Sequence, residues 1–183
     1  MPNSLGTLLH GVEALSRSHR VVDIQSTLRV SVADVLAALH SFSDIIRYLN
    51  TRRSKGASLD ITDEAAVQDV LFLMLRPLVS DLTPENPTDK VAGRYSVKDF
   101  VSHSNRLVIE AKYVRDRSHG KMILQELNDD IETYRYHPSC EDLVFFIYDP
   151  NSNIPDQAAL ERHIQSSRVY GSKALRCHAV IKP

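Results

Sequence analysis

Residues Val97–Tyr113 read VKDFVSHSNRLVIEAKY. Two short apolar runs here carry three charged residues, Asp99, Glu110 and Lys112. A charge taken out of water is costly unless it is paired or bound to a metal ion. These three therefore either face solvent or are held together for a purpose. In a strand predicted over 94–102, alternation sets Tyr95, Val97, Asp99 and Val101 on one face. In a second strand, RLVIEAKYV over 106–114, Val108, Glu110, Lys112 and Val114 share a face, and Leu107, Ile109, Ala111 and Tyr113 share the other. The short polar turn His103–Asn105 predicts an antiparallel hairpin. That hairpin brings Asp99 within a residue or two of pairing with Glu110, close enough for both to hold one ion. Glu110 and Lys112 share their face with Val108 and Val114, which argues against an exposed cross-strand ion pair.

Working outward, the segment before the hairpin begins with a strong helix, DEAAVQDVLFLMLRPLV, capped by Thr62 and carrying a stripe of Val67, Val70, Leu71, Met74 and Leu78. Pro77 marks its last turn. Glu64 lies on the line of that stripe. An acidic residue in the first turn also suits the helix dipole, so Glu64 reads equally as cap or as site. Residues 80–93 are turn-rich, with a short strand expected near Leu82. Beyond the hairpin, RDRSHGK (115–121) reads as a loop, and a helix is predicted over 121–136 with Leu124, Leu127, Ile131 and Tyr134. On this helix Asp129 and Asp130 read as solvated charge and Tyr134 as core. DLVFFIYD, 142–149, is an almost unbroken apolar strand, as expected at the centre of a covered sheet. Pro155 opens a further helix to about residue 166, and KALRCHAVIK, 173–182, reads as a last strand.

Further upstream, Val32, Val35, Leu36, Leu39, Phe42, Ile45, Ile46 and Leu49 recur at helical spacing. They predict one amphipathic helix of about five turns from Ser31, with Asp34 placed for a capping box. Its stripe fits either packing against this chain or docking on a second copy or a partner. Residues 4–17 predict a shorter helix. The polar segment 51–61, with Arg52, Arg53 and Lys55, reads as a linker. It divides a helical dimerisation or partner-docking region, 1–55, from a domain over 60–183.

The 183 residues are 43% hydrophobic and 25% charged, with a formal net charge of −1. That is a globular composition. Two cysteines, Cys140 and Cys177, form no CxxC, so no zinc motif or disulfide framework is indicated. With no apolar run near the roughly 20 residues that span a membrane and no signal-peptide pattern, a cytoplasmic protein without a membrane partner is expected. The element order from Thr62 predicts an α/β fold with a central mixed sheet flanked by helices, plus an N-terminal helical appendage.

Converging carboxylates with an ammonium two residues from one of them suit a hard divalent cation and phosphodiester hydrolysis. No Ser, Cys or His stands in a comparable place as nucleophile. Asp99, an eleven-residue step, then Glu110-Ala111-Lys112 on the next strand resembles the PD-(D/E)XK nuclease superfamily, with its restriction-endonuclease-like core. Lys98 stands where the proline of that name would be. The runs PENPTDKVAGRYSVKDF, VIEAKYVRD, QELNDDIETYRYHP and FFIYDP are similar to a type II restriction-enzyme-like domain of prokaryotic defence proteins, over about 62–150.

The resemblance implies a metal-dependent endodeoxyribonuclease using Mg²⁺, with Mn²⁺ able to substitute. Asp99, Glu110 and Glu64 would hold the metal, Lys112 would be the catalytic lysine, and Gln125 would orient water or a ligand. Arg115, Arg117 and Lys121 are expected to grip the DNA backbone. Defence against foreign DNA is the implied role, with a regulatory or sensor subunit, or a second copy, engaging the N-terminal helices. The alternative is a catalytically inactive nuclease-fold module that binds nucleic acid or a partner subunit.

Overall fold

A computed structural model describes residues 30–51, 56, 58–84, 100–137, 140–165, 167–170 and 173–183. The predicted helix at 4–17, Asp99 and the basic segment 52–55 lie outside these residues.

Six strands form one mixed sheet: β1 (Thr83–Pro84), β2 (Phe100–Ser102), β3 (Leu107–Tyr113), β4 (Asp142–Tyr148), β5 (Ser167–Tyr170) and β6 (Lys173–Lys182). Their order across the sheet is β1-β2-β3-β4-β6-β5. β3, β4 and β6 run parallel at the centre, and β1–β2–β3 and β5–β6 are antiparallel. This is the mixed α/β architecture of the restriction-endonuclease-like fold. The hairpin forms as expected, with Phe100 opposite Ile109, Val101 opposite Val108 and Ser102 opposite Leu107. Its turn is pinned by Asp81, whose carboxylate accepts from the Ser102 hydroxyl at 2.6 Å and the Ser104 N–H at 2.8 Å. Strand β5 was not anticipated. The four residues SRVY after a helix are too few to show a period, and pairing with β6 sets their conformation.

Period-two alternation sorts the core into two layers. Leu107, Ile109, Ala111, Val144, Phe146 and Val180 face α1 (Val32–His40), the first residue of α2 (Phe42–Thr51) and α3 (Glu64–Leu75). Val108, Leu143, Phe145, Ile147, Cys177 and Ala179 face α4 (Arg117–Tyr134) and α5 (Gln157–Ile164). Burial on both faces explains the unbroken apolar run Leu143–Ile147 of β4.

The predicted five-turn helix is two helices meeting at Ser41. The Ser41 hydroxyl turns back to the Ala37 carbonyl at 3.3 Å, and its N–H reaches Ala38 and Leu39, which tightens the turn. The expected capping box is present, with Ser31 and Asp34 exchanging bonds at 3.2 and 3.1 Å. Of the two fates left open for its stripe, packing within the chain is what the structure adopts. Val35, Leu39 and Phe42 are fully buried, and Phe42 lies 4.7 Å from Phe146, ring to ring. Residues on either side of the expected linker therefore share one core. Helix α3 is capped by Asp63 rather than Thr62, through the Ala66 N–H at 2.9 Å.

Helix α4 starts four residues earlier than predicted, because the Asp116 carboxylate caps it by accepting from the His119 N–H at 2.9 Å. Arg117, His119 and Lys121 are thus helical rather than in a loop. Gly120 is a packing glycine within the helix. A Cβ there would stand 2.4 Å from the Asn153 carbonyl oxygen, so only glycine lets the helix meet that loop.

Candidate active site

Glu110 and Lys112 lie on the α4 side of β3, as alternation requires. Glu110 is 6% exposed, buried between the sheet and α4. Its Oε1 accepts a hydrogen bond from the Tyr134 hydroxyl. Its Oε2 lies 4.0 Å from the Lys112 Nζ, which in turn pairs with Asp130 Oδ2 at 2.9 Å. Burial alone favours the neutral amine of Lys112. The carboxylates of Asp130, Glu110 and Glu64 outweigh it, and the ammonium is held above the usual lysine range. Burial pushes the Asp130 carboxyl up, against the opposing pull of Lys112.

A cleft of about 440 Å³ opens beside this group. It lies at the end of β3 and is lined by Thr62, Glu64, Lys112, Tyr113, Arg115, His119 and Glu126 among others. Glu64 is the first residue of α3 and half-buried, so it serves the helix start and the cleft wall together. His119 is almost buried. Its Nδ1 accepts the Arg115 N–H at 3.3 Å, which assigns the proton to Nε2, 3.2 Å from the Glu126 carboxylate. Glu126 is thereby held at the cleft.

The structure brings together Glu110, Lys112 and Glu64 of the expected set. Gln125 is exposed and does not line the cleft. One residue along a helix is a turn of about 100°, and here Glu126 takes the inward place. Of the three basic candidates, Arg115 lines the cleft, Arg117 is exposed, and Lys121 faces a separate groove between α4 and α5. Asp130 and Tyr134, read from sequence as solvated charge and core, both touch the Glu110–Lys112 pair. A signal for them existed. Glu126, Asp130 and Tyr134 recur every four residues, beside the apolar line Ile123, Leu127 and Ile131. His103 is exposed on the hairpin turn, as expected.

The donor chemistry suits a hard cation. Glu110 and Glu64 offer carboxylate oxygens, and neither buried cysteine lines the cleft. Among the described residues no group of three or more His, Cys, Asp or Glu side chains converges to hold an ion. The third expected ligand, Asp99, is outside them. No described helix is long and apolar enough to cross a membrane.

Comparison with known proteins agrees with this arrangement. A family model for restriction endonucleases of the DpnII–MboI type matches residues 32–178. No curated protein and no solved structure gave a match. The match begins at the first residue of α1, ends within β6, and takes in the whole Glu110–Lys112 site. The chain belongs to the DpnII–MboI restriction endonuclease family, within the type II restriction-endonuclease-like PD-(D/E)XK superfamily.

Proposed function

We propose that this protein is a Mg²⁺-dependent endodeoxyribonuclease whose cleft holds the scissile phosphodiester against Lys112. The observation that carries this reading is the placement of Glu110 and Lys112 on one face of β3 beside a cleft walled by Glu64, in a chain of a restriction endonuclease family. Glu110, Glu64 and Asp99 would hold the metal. For Asp99 the support is sequence spacing. It lies two residues before Val101, and Val101 pairs with Val108, two residues before Glu110. A Mg²⁺ or Mn²⁺ ion bound there would polarise the phosphoryl oxygen and lower the pKa of a bound water.

The protein's own groups supply the rest. The Lys112 ammonium stands where it can neutralise charge building on a non-bridging phosphate oxygen. Asp130 fixes its direction, and Tyr134 fixes the Glu110 carboxylate. Arg115, with Arg117 and Lys121 further along α4, would pair with the flanking backbone phosphates. We assign the activity to defence against foreign DNA, with cutting controlled by a second copy or a sensor subunit. Tyr48, 70% exposed on α2, lies in the region this partner would engage.

The test uses the full-length protein with plasmid, single-stranded DNA and RNA, with Mg²⁺ or Mn²⁺, beside Asp99→Ala and Lys112→Ala. Metal-dependent DNA cutting lost in both variants is the expected result. Metal binding abolished by Asp99→Ala, with no cutting by wild type even with its co-purified partner, would establish instead an inactive binding module.

A further inference from the structure

The parallel strands β3 and β4 end on a matched pair, Tyr113 and Tyr148, in direct register. In open α/β sheets, ligands bind beyond the carboxyl ends of the strands. The two rings lie 6.0 Å apart, tilted by 46°, and both are half-buried. Tyr148 is braced from behind by Phe42 at 5.4 Å. They border a pocket of about 450 Å³ that also includes Asp60, Thr62, Pro150 and Asn151. This pocket is separate from the catalytic cleft but contiguous with it, since Thr62 and Tyr113 line both.

The two hollows differ in chemistry. The cleft carries Lys112 and Arg115 beside the carboxylates of Asp63, Glu64 and Glu126. The tyrosine pocket has no Lys, Arg or His among its described lining residues, and Asp60 adds negative charge beside Tyr148. Cations able to pair with a phosphate thus stand on one side of Tyr113 and are lacking among the described residues on the other. Asn50 forms a fixed wall, because its amide exchanges bonds with the Leu59 backbone at 2.8 and 3.1 Å. A pocket with two aromatic faces, polar side chains at Asn50, Asp60, Thr62 and Asn151, and no cation among its described lining suits a planar, neutral heterocycle with hydrogen-bonding edges.

We infer that the Tyr113–Tyr148 pocket is a nucleobase subsite. It takes the base of a nucleotide next to the phosphate bound at Lys112, through packing on the tyrosine rings. The inference rests on the nuclease reading above and adds what that reading lacks, a contact to the base rather than the backbone. Ring stacking tolerates any base, so the subsite favours an unstacked or single-stranded nucleotide over a paired one. Tyr113 serves both hollows and so couples where the base sits to where the phosphate sits.

The experiment uses full-length Lys112→Ala protein, in which cutting is blocked, with Mg²⁺ and oligonucleotides carrying 5-iodouracil at successive positions. Photocrosslinks are mapped by peptide mass. The expected result is crosslinking to Tyr113 or Tyr148 from one position. In the same background Tyr148→Leu and Tyr113→Leu should each weaken binding about 5- to 100-fold, the range of a lost base–aromatic stack. Tyr148→Phe should bind within about twofold of its parent, because the ring and not the hydroxyl makes the contact. Should one leucine variant fail to fold, the other and the crosslink still decide. Parent binding retained by the leucine variants, with crosslinks elsewhere, overturns this inference alone. Absence of DNA binding by wild type and parent overturns the nuclease reading and this inference with it.

Discussion

The Tyr134 hydroxyl, at the last residue of α4, donates a hydrogen bond to the Glu110 carboxylate on β3. The donor is 1% exposed and the acceptor 6%, so the bond is shielded from water. It ties the helix that follows the hairpin to the strand that carries the site, and it orients the buried Glu110 carboxylate. Partners of this kind fix a metal-binding carboxylate without touching the metal.

Tyr134→Phe keeps the ring and removes the bond. Cutting should fall about 10- to 100-fold, with more Mg²⁺ needed for half-maximal rate. Stability should change by about 1 kcal/mol, the size of one hydrogen bond. Rate against metal concentration, beside a thermal melt, checks both. A normal metal requirement with a normal rate would leave Tyr134 a purely structural residue.

Asp130→Asn removes the carboxylate 2.9 Å from Lys112 while keeping its shape. The ammonium then swings between Glu110 and solvent. The maximal cutting rate should drop at least tenfold, with substrate affinity changed by less than threefold, because Lys112 keeps its charge and loses its direction. Unfolding free energy should fall by about 2 kcal/mol, less than a fully buried pair would cost, since both groups retain some exposure. Steady-state kinetics separate the two effects.

Acid stability centres on Asp142. Burial alone would raise its pKa, but the Arg176 guanidinium, bonded to both oxygens at 2.7 and 2.5 Å, and His178 at 3.0 Å reverse the sign. The carboxyl sits at about 2, against an ordinary 3.8. A depressed folded pKa means that its contribution is complete above the unfolded value. It fades as pH falls from about 5 through 4 to 2. The contribution lost is about 2 kcal/mol. Urea midpoints over that range should fall in wild type. In Asp142→Asn they should be lower throughout and flatter. Parallel slopes would remove Asp142 from the account.

Phe42→Ala tests whether the helices before α3 belong to the core. Phe42 is fully buried against Phe146 and Tyr148. Loss of about 3–5 kcal/mol is expected, as for large core aromatics elsewhere. Denaturant unfolding monitored by far-UV circular dichroism should show one transition moved to lower denaturant. Two separate transitions, with the main one unmoved, would make α1 and α2 an independent appendage.

Much of the site was legible because strand geometry is local. Alternation alone puts Glu110 and Lys112 on one face with Val108 and Val114, whatever the rest of the chain does. The hairpin was legible for the same reason, as a short polar turn between two alternating runs. Glu64 could be narrowed to two roles, and it stands in the first helical turn and on the cleft wall together.

Helix rotation is different. Leu127 and Ile131 announce that α4 has a buried stripe, but its edges depend on how the helix sits on the sheet. The side chains of Gln125 and Glu126 are both polar, and only packing decides which of them turns inward. The same holds for Asp130 and Tyr134, whose partners lie 18 and 24 residues away on another element. Likewise the stripe Val35–Leu39–Phe42 states that something must cover it, not what does. Residue type and a two-residue period are local facts, so Glu110 and Lys112 stand out as candidates from the chain alone. Tertiary structure alone decided which helix residues complete their site, and that two tyrosines end adjacent strands beside it, because those depend on long-range register and on how α4 is seated on the sheet.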